Sequence, residues 1–336
     1  MRKLAILWSL ISVLSAPTFA ENYDDLKDKK VQIESFRFSD KIESASEKDK
    51  QLIIGIMNDS LTPQMTDRHL TSELKIGYMS EKLPSFFDWY TDEYSENYYI
   101  VTLTQQIYTP EDIENPELIE EDRPYAGWTH LTFAIAKNSG SDLQMTVLDF
   151  GVIGEKSFAA DTQIWLHELI GSDDPNGWEH QLNDEIGINL THARARNFRV
   201  EDERFAADIT PYVIGSIGNV NTSVTTGVMA RFGMNVPDDN VLGFEPVNEE
   251  DQTRLYGFAT INASYVARDI FLDGNTFSDS HSVEKNNFVG RAAVGVAYKY
   301  GNFEFSYAYG ITSEQFKTQD GPNFGGQFFI NYKKRF

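Results

Sequence analysis

The sequence predicts an all-β fold, a single antiparallel transmembrane β-barrel of about twelve strands with a short α-helix in an extracellular loop. Two observations predict it. Beyond a cleavable leader the chain holds no long apolar run that could cross a membrane as a helix. From Gln51 onward, segments in which apolar and polar residues alternate recur to the end of the chain, the period of a strand with two different faces. A chain that meets lipid without spanning helices has only the closed barrel open to it, because hydrocarbon offers no partner to an open strand edge.

Met1–Ala20 has a basic start (Arg2, Lys3), an apolar stretch from Leu4 to Leu14 and small residues Thr18 and Ala20 at its end, the pattern of a signal peptide. Residues 21–50 are rich in Asp, Glu and Lys and lack a clean period, which predicts a periplasmic N-terminal extension, disordered or loosely docked. The barrel then occupies residues 51–336. Its expected strands are 51–58, 70–80, 97–107, 127–137, 143–153, 184–197, 203–216, 224–235, 254–270, 288–300, 302–312 and 325–336. The last ends on Phe336, and a terminal Phe on an alternating aromatic strand is the form of signal by which outer-membrane barrels are recognised for insertion.

With a periplasmic N-terminus, the odd connections face outward and are usually the longer ones. These are 59–69, 108–126, 154–183, 217–223, 271–287 and 313–324. Among the even ones, 137–142, 198–202 and 300–302 are tight, whereas 81–96 and 236–253 are longer than that parity wants. The 23 Phe and 16 Tyr suit strands and aromatic girdles, and the absence of Cys excludes both a disulfide frame and a lipidated N-terminus. A formal charge of −22 argues against nucleic acid, and beside an anionic lipid surface it hints at a cation requirement.

The helix is expected over Ser157–Ile170, capped by Ser157 and ended by Gly171. Trp165 and Leu169 lie four apart on one side, Gln163 and His167 roughly opposite. A histidine on an isolated loop helix is the first place to look for chemistry, although an ordinary polar-face role has the same periodicity. Asn58 and Asp59 close the first strand and Thr71 opens the second, so all three share the outward side with His167. Their oxygens are hard donors suited to Ca²⁺, and Asn and Asp are also standard turn residues. Arg123, in Asp122–Trp128, fits a phosphate, a carboxylate or a structural clamp. No Gly-x-Ser-x-Gly elbow and no HExxH pattern is present, and His69, His130, His180, His192 and His281 are scattered. The simplest scheme has His167 activating water while a cation polarises a carbonyl.

Taken in order, these segments resemble the outer-membrane lipid A 3′-O-deacylases over about Gln51 to Phe336. The matching pieces include Asn58-Asp59, Thr66–Thr71, Ile107–Ile113, Asp122–Trp128, Thr162-Gln163 through His167, Gly177-Trp178, Gln181-Leu182, Gly218–Val220 and Asp273–Phe277. The resemblance implies an active site between the outer barrel wall and the loop helix, with chemistry similar to secreted phospholipase A2. His167 is then the base and Gln163 its neighbour, while Asn58, Asp59 and Thr71 form the Ca²⁺ and oxyanion end. An acidic residue beyond the histidine, Asp173 or Asp174, also takes part. Met57 stands where the family commonly has Glu, and Glu73 where a Gly is usual. The implied protein is a Ca²⁺-dependent esterase acting on lipid A of lipopolysaccharide in the outer leaflet, a monomer in the outer membrane. The competing readings are an outer-membrane phospholipase using Ser and His, and a structural or porin-like barrel without activity.

Overall fold

The computed structural model describes residues 49–58, 69–80, 95–237 and 253–335. The expected signal peptide and extension, apart from Asp49 and Lys50, lie outside them, as do Asp59 and Phe336. In chain order the strands before the helix are β1 (Asp49–Asn58), β2 (His69–Ser80), β3 (Glu96–Thr109), β4 (Ala126–Ser139) and β5 (Asp142–Ile153). Then come helix α1 (Ala159–Ile170), β6 (Glu185–Arg196), β7 (Phe198–Glu201), β8 (Phe205–Gly218) and β9 (Asn221–Met234). The rest comprises β10 (Arg254–Asp269), the short helix α2 (Ile270–Asp273), β11 (Phe288–Tyr300), β12 (Phe303–Thr312) and β13 (Asn323–Arg335).

Each strand pairs antiparallel with its neighbours in sequence, and β1 pairs with β13 to close the sheet on itself. Closure removes every edge, which lipid requires. β6 and β7 act as one strand: Ala195 faces Tyr212 and Phe198 faces Ile209, so the register on β8 is continuous across the gap. The break coincides with Pro211, which stands opposite Arg196 and has no N–H to offer a ladder. The barrel is therefore twelve-stranded as expected, with the strand predicted over 184–197 running on to Glu201.

Alternation puts lipid-compatible side chains outside and polar ones inside. On β6, Ile186, Ile188 and Leu190 are exposed while Glu185 and Asn189 are buried. On β3 and β4, Leu103, Leu131 and Phe133 point out while Thr102, Thr104 and His130 point in. Lumen-facing polar side chains pair between adjacent strands, as where Thr132 Oγ1 donates to Asp149 (2.6 Å) and Arg231 clasps Asp208 through two nitrogens.

The two ends differ as the parity predicts. Tight turns join β4 to β5 through Gly140-Ser141 and β11 to β12 through Gly301-Asn302. Both glycines have positive φ (67° and 56°), the conformation that two-residue hairpins favour. The opposite end carries the long connections 110–125, 154–184, 270–287 and 313–322. One odd connection departs from expectation: between β8 and β9 only Asn219 and Val220 remain, because both strands extend further than their alternation showed.

The long connections knit together over the mouth. Val220, Ile270, Phe271 and Leu182 pack on the inward-facing Trp128, and Tyr108 stacks on Phe271 with centroids 3.9 Å apart. Arg123 is fully buried among them, its guanidinium 5.6 Å from the Tyr108 ring and 5.8 Å from Phe316. Burial depresses its pKa, opposed chiefly by the charge of Asp269. Arg123 Nη2 donates to Gln315 Oε1 at 3.4 Å, a link between two long connections that fits the clamp role, and its neighbours add to it: His281 Nε2 donates to the Asp122 carbonyl at 2.7 Å, and Thr318 bonds to the Glu121 carbonyl.

Candidate active site on the outer wall

The site begins with a row of outward positions at the loop end of the barrel. Asn58 of β1 lies opposite Ser72 of β2, Ser72 opposite Ile107 of β3, and Ile107 opposite Gly127 of β4. Neighbouring strands are about 4.8 Å apart, so this row spans roughly 15 Å of wall. The backbone then turns outward. Gly154, at φ 91°, donates to the Gly127 carbonyl at 3.1 Å, a single turn follows at Glu155–Ser157, and Phe158 takes a left-handed φ of 56°.

Helix α1 starts at Ala159, not at Ser157 as the sequence suggested, because Ser157 has other work. Its hydroxyl donates to the Gly154 carbonyl (2.6 Å) and accepts from the Ala159 N–H (3.3 Å). Its own carbonyl accepts from Gln105 Nε2 (2.9 Å) and Thr129 Oγ1 (2.7 Å), two outward residues of β3 and β4. These bonds pin the start of α1 flat on the wall, where Ala159 and Ala160 pack with Ile107, Tyr125 and Trp178. The helix ends as expected at Gly171 (φ 73°), whose N–H and that of Ser172 both bond the His167 carbonyl.

The helix turns its polar side inward. Gln163 and His167 are 1% and 5% exposed, while Trp165, Leu169 and Ile170 are each 60% or more exposed. Such an arrangement would be inverted for a helix in water and is the right way round for one beside hydrocarbon. His167 Nδ1 lies 2.6 Å from the backbone carbonyl of Asp173. A carbonyl can only accept, so Nδ1 carries the proton and the lone pair of the neutral ring sits on Nε2. Asp173 thus meets His167 through its main chain, its side chain being exposed; Asp174 is exposed too.

Thr71 is the extra residue of a bulge between Leu70 and Ser72. It is buried, and its hydroxyl is 2.6 Å from that of Thr109, which shares the outward side of β3 with Ile107. Bulges re-aim side chains at functional sites, and this one presents Thr71 on the face that α1 covers. Asn58 shares that face, and Asp59 lies outside the described residues. Met57 and Glu73, the departures from the resembled pattern, flank this row and alternate into the lumen. Met57 Sδ accepts from Gln327, and Glu73 is held by Lys75 (3.0 Å) and Gln106 (2.6 Å). Neither projects onto the outer face.

The sequence reading missed a role for Trp178. Its indole N–H donates to Gln163 Oε1 at 2.9 Å, and its ring rests on Tyr125 at 5.0 Å. The dipeptide Gly177-Trp178 was the available signal, but nothing local tells what an indole in a loop will bond.

The family described as outer membrane protein LpxR matches residues 6–334. No curated protein matches. Among solved structures, LpxR from Salmonella typhimurium superposes with a TM-score of 0.72 at 19% identity, covering 84% of this chain and 99% of that one. The β domain of the Bordetella autotransporter BrkA gives a TM-score of 0.42 at 12% identity, covering 86% of this chain and 98% of that one. The match over nearly the whole chain places this twelve-stranded outer-membrane β-barrel in the LpxR family.

Proposed function

We propose that the protein is a Ca²⁺-dependent outer-membrane esterase that hydrolyses an ester-linked acyl chain, the 3′-acyloxyacyl group, of lipid A. The observation that carries this reading is the burial of His167 on the side of α1 opposite the exposed Trp165 and Leu169, in a helix seated on the outer wall, with its Nδ1 proton committed to the Asp173 carbonyl. A base on the lipid side of a barrel meets the ester of a bilayer lipid, whereas a transport protein needs its working groups in the lumen. Here the lumen mouth is packed with Trp128, Phe271 and Arg123, which disfavours the porin-like alternative.

In this reading Nε2 of His167 removes a proton from water as the oxygen attacks the ester carbonyl. The imidazolium keeps its Nδ1–H on the Asp173 carbonyl, then returns the other proton to the sugar oxygen as the acyl–oxygen bond breaks. The products are a free carboxylic acid and a lipid A hydroxyl. The candidate ligands fit Ca²⁺: Asn58 and Thr71 offer neutral hard oxygens, Asp59 adds a carboxylate, and the chain has no thiol. Bound there, the ion supplies positive charge to the developing oxyanion. Trp165, Leu169 and Ile170 keep α1 against the acyl chains. The protein works as a monomer in the outer membrane, exported by its signal peptide, with the loop end outward because lipid A occupies the outer leaflet.

Mass spectrometry of lipid A from cells with and without the protein tests the proposal. Loss of one acyloxyacyl group, absent with His167→Asn, is the expected result. Unchanged lipid A together with hydrolysis of ester phospholipids would move the substrate to the phospholipase alternative.

A further inference from the structure

We propose that Trp178 is a positioning residue that fixes which end of the Gln163 amide faces the reacting ester; this rests on the esterase reading above. An indole N–H can only donate, so the Gln163 atom 2.9 Å from Trp178 Nε1 must be the carbonyl oxygen. The amide cannot flip without setting N–H against N–H. Its Nε2 is thereby aimed away from Trp178, is fully buried, and meets no hydrogen-bond acceptor among the described residues. A buried donor without a partner costs free energy in a folded protein unless a ligand oxygen completes it. Gln163 lies one helical turn before His167 on the same buried side of α1, so the donor points into the layer where the base acts. An ester carbonyl, or the oxyanion it becomes, is the acceptor of matching chemistry.

Trp178 is itself held firmly. It is 7% exposed and begins a one-turn helix, Trp178–His180, and its ring packs on Tyr125. The Tyr125 hydroxyl donates to the Ile113 carbonyl at 3.0 Å, and the Leu182 N–H returns to the Tyr125 carbonyl at 2.9 Å. Gly177 allows this seat, since a β-carbon there would lie 2.6 Å from the Tyr125 ring. Two segments, 110–125 and 171–184, are thus joined around the indole: Trp178, from the same connection as His167, sets the direction of one donor beside it, and the remote connection 110–125 holds the indole in place.

The test uses the full-length protein in detergent–lipid A mixed micelles with Ca²⁺, with heat-modifiable gel mobility confirming a folded barrel. Trp178→Phe keeps an aromatic ring on Tyr125 while removing the indole N–H together with the five-membered ring that carries it. The expected result is a kcat lower by about tenfold with KM nearly unchanged, the scale of one neutral hydrogen bond. In a Gln163→Ala background the same change should cost nothing further, because no amide remains to be oriented. Wild-type kcat in Trp178→Phe, or a loss that multiplies with that of Gln163→Ala, would overturn the positioning role and leave the esterase intact. A wild type that cleaves neither lipid A nor an ester phospholipid would overturn the esterase reading and the positioning role with it.

Discussion

Gly127 and Ala159 meet on the outer face of the barrel wall: a β-carbon on Gly127 would overlap Ala159 Cβ and Ser157 Oγ. The absence of one side chain on β4 lets α1 lie flush on the wall, and the depth of that seat sets where Gln163 and His167 stand.

Gly127→Val should therefore lift α1 while the barrel still forms. Overpacking of this kind costs about 1–3 kcal/mol locally, and a displacement near 1 Å at a catalytic group can cost about 100-fold in rate. Heat-modifiable mobility should persist while lipid A hydrolysis falls by that order. An active Gly127→Val protein would show that the seat of α1 does not set the geometry.

His167→Asn should abolish hydrolysis without unfolding the protein. A general base contributes about 10²–10⁴-fold, and Asn has no basic nitrogen. The measurement is the rate of fatty acid release under saturating lipid A; a rate within a fewfold of wild type would place the chemistry elsewhere.

Chelation should stop turnover, Ca²⁺ should restore it, and Zn²⁺ should restore it poorly, because the candidate ligands are all hard oxygens. Asp59→Ala should raise the Ca²⁺ concentration needed for half-maximal activity or remove activity. Full turnover in excess chelator would remove the metal from the mechanism.

The turn before α1 should loosen in acid. Asp184 accepts from Lys156 through its side chain (2.8 Å) and its backbone N–H (3.0 Å), and these bonds hold its carboxyl below the ordinary carboxylate value. A depressed carboxyl contributes stability that is present above its unfolded value and lost as pH falls through the lower folded value. Hydrogen exchange at the Lys156 amide, corrected for intrinsic rates, should stay slow at neutral pH and speed up only below the usual carboxylate range. Asp184→Asn should exchange fast at neutral pH. Slow exchange in that variant would mean the turn is held by the Ser157 bonds alone.

The sequence by itself determined the barrel. Strand period, in a chain whose described residues include no helix able to span a membrane, leaves one architecture that satisfies the backbone in lipid, and the strands fall close to where alternation puts them. It also determined that α1 has one apolar and one polar side, and that Asn58, Thr71 and His167 lie at one end. Which side of α1 meets the wall was decided by tertiary structure, because periodicity defines two faces without saying whether water or hydrocarbon lies outside. The bulge at Thr71, the inward turn of Met57 and Glu73, and the burial of Arg123 in the mouth depend on pairing across strands far apart in sequence. So does the partner of His167. The family resemblance implies a part for an acidic residue at Asp173 or Asp174, and the fold adds a main-chain contact: the turn at Gly171 brings the Asp173 carbonyl to the ring. Every residue carries such a carbonyl, so its use leaves no mark in the sequence; only the folded chain selects which one faces the imidazole.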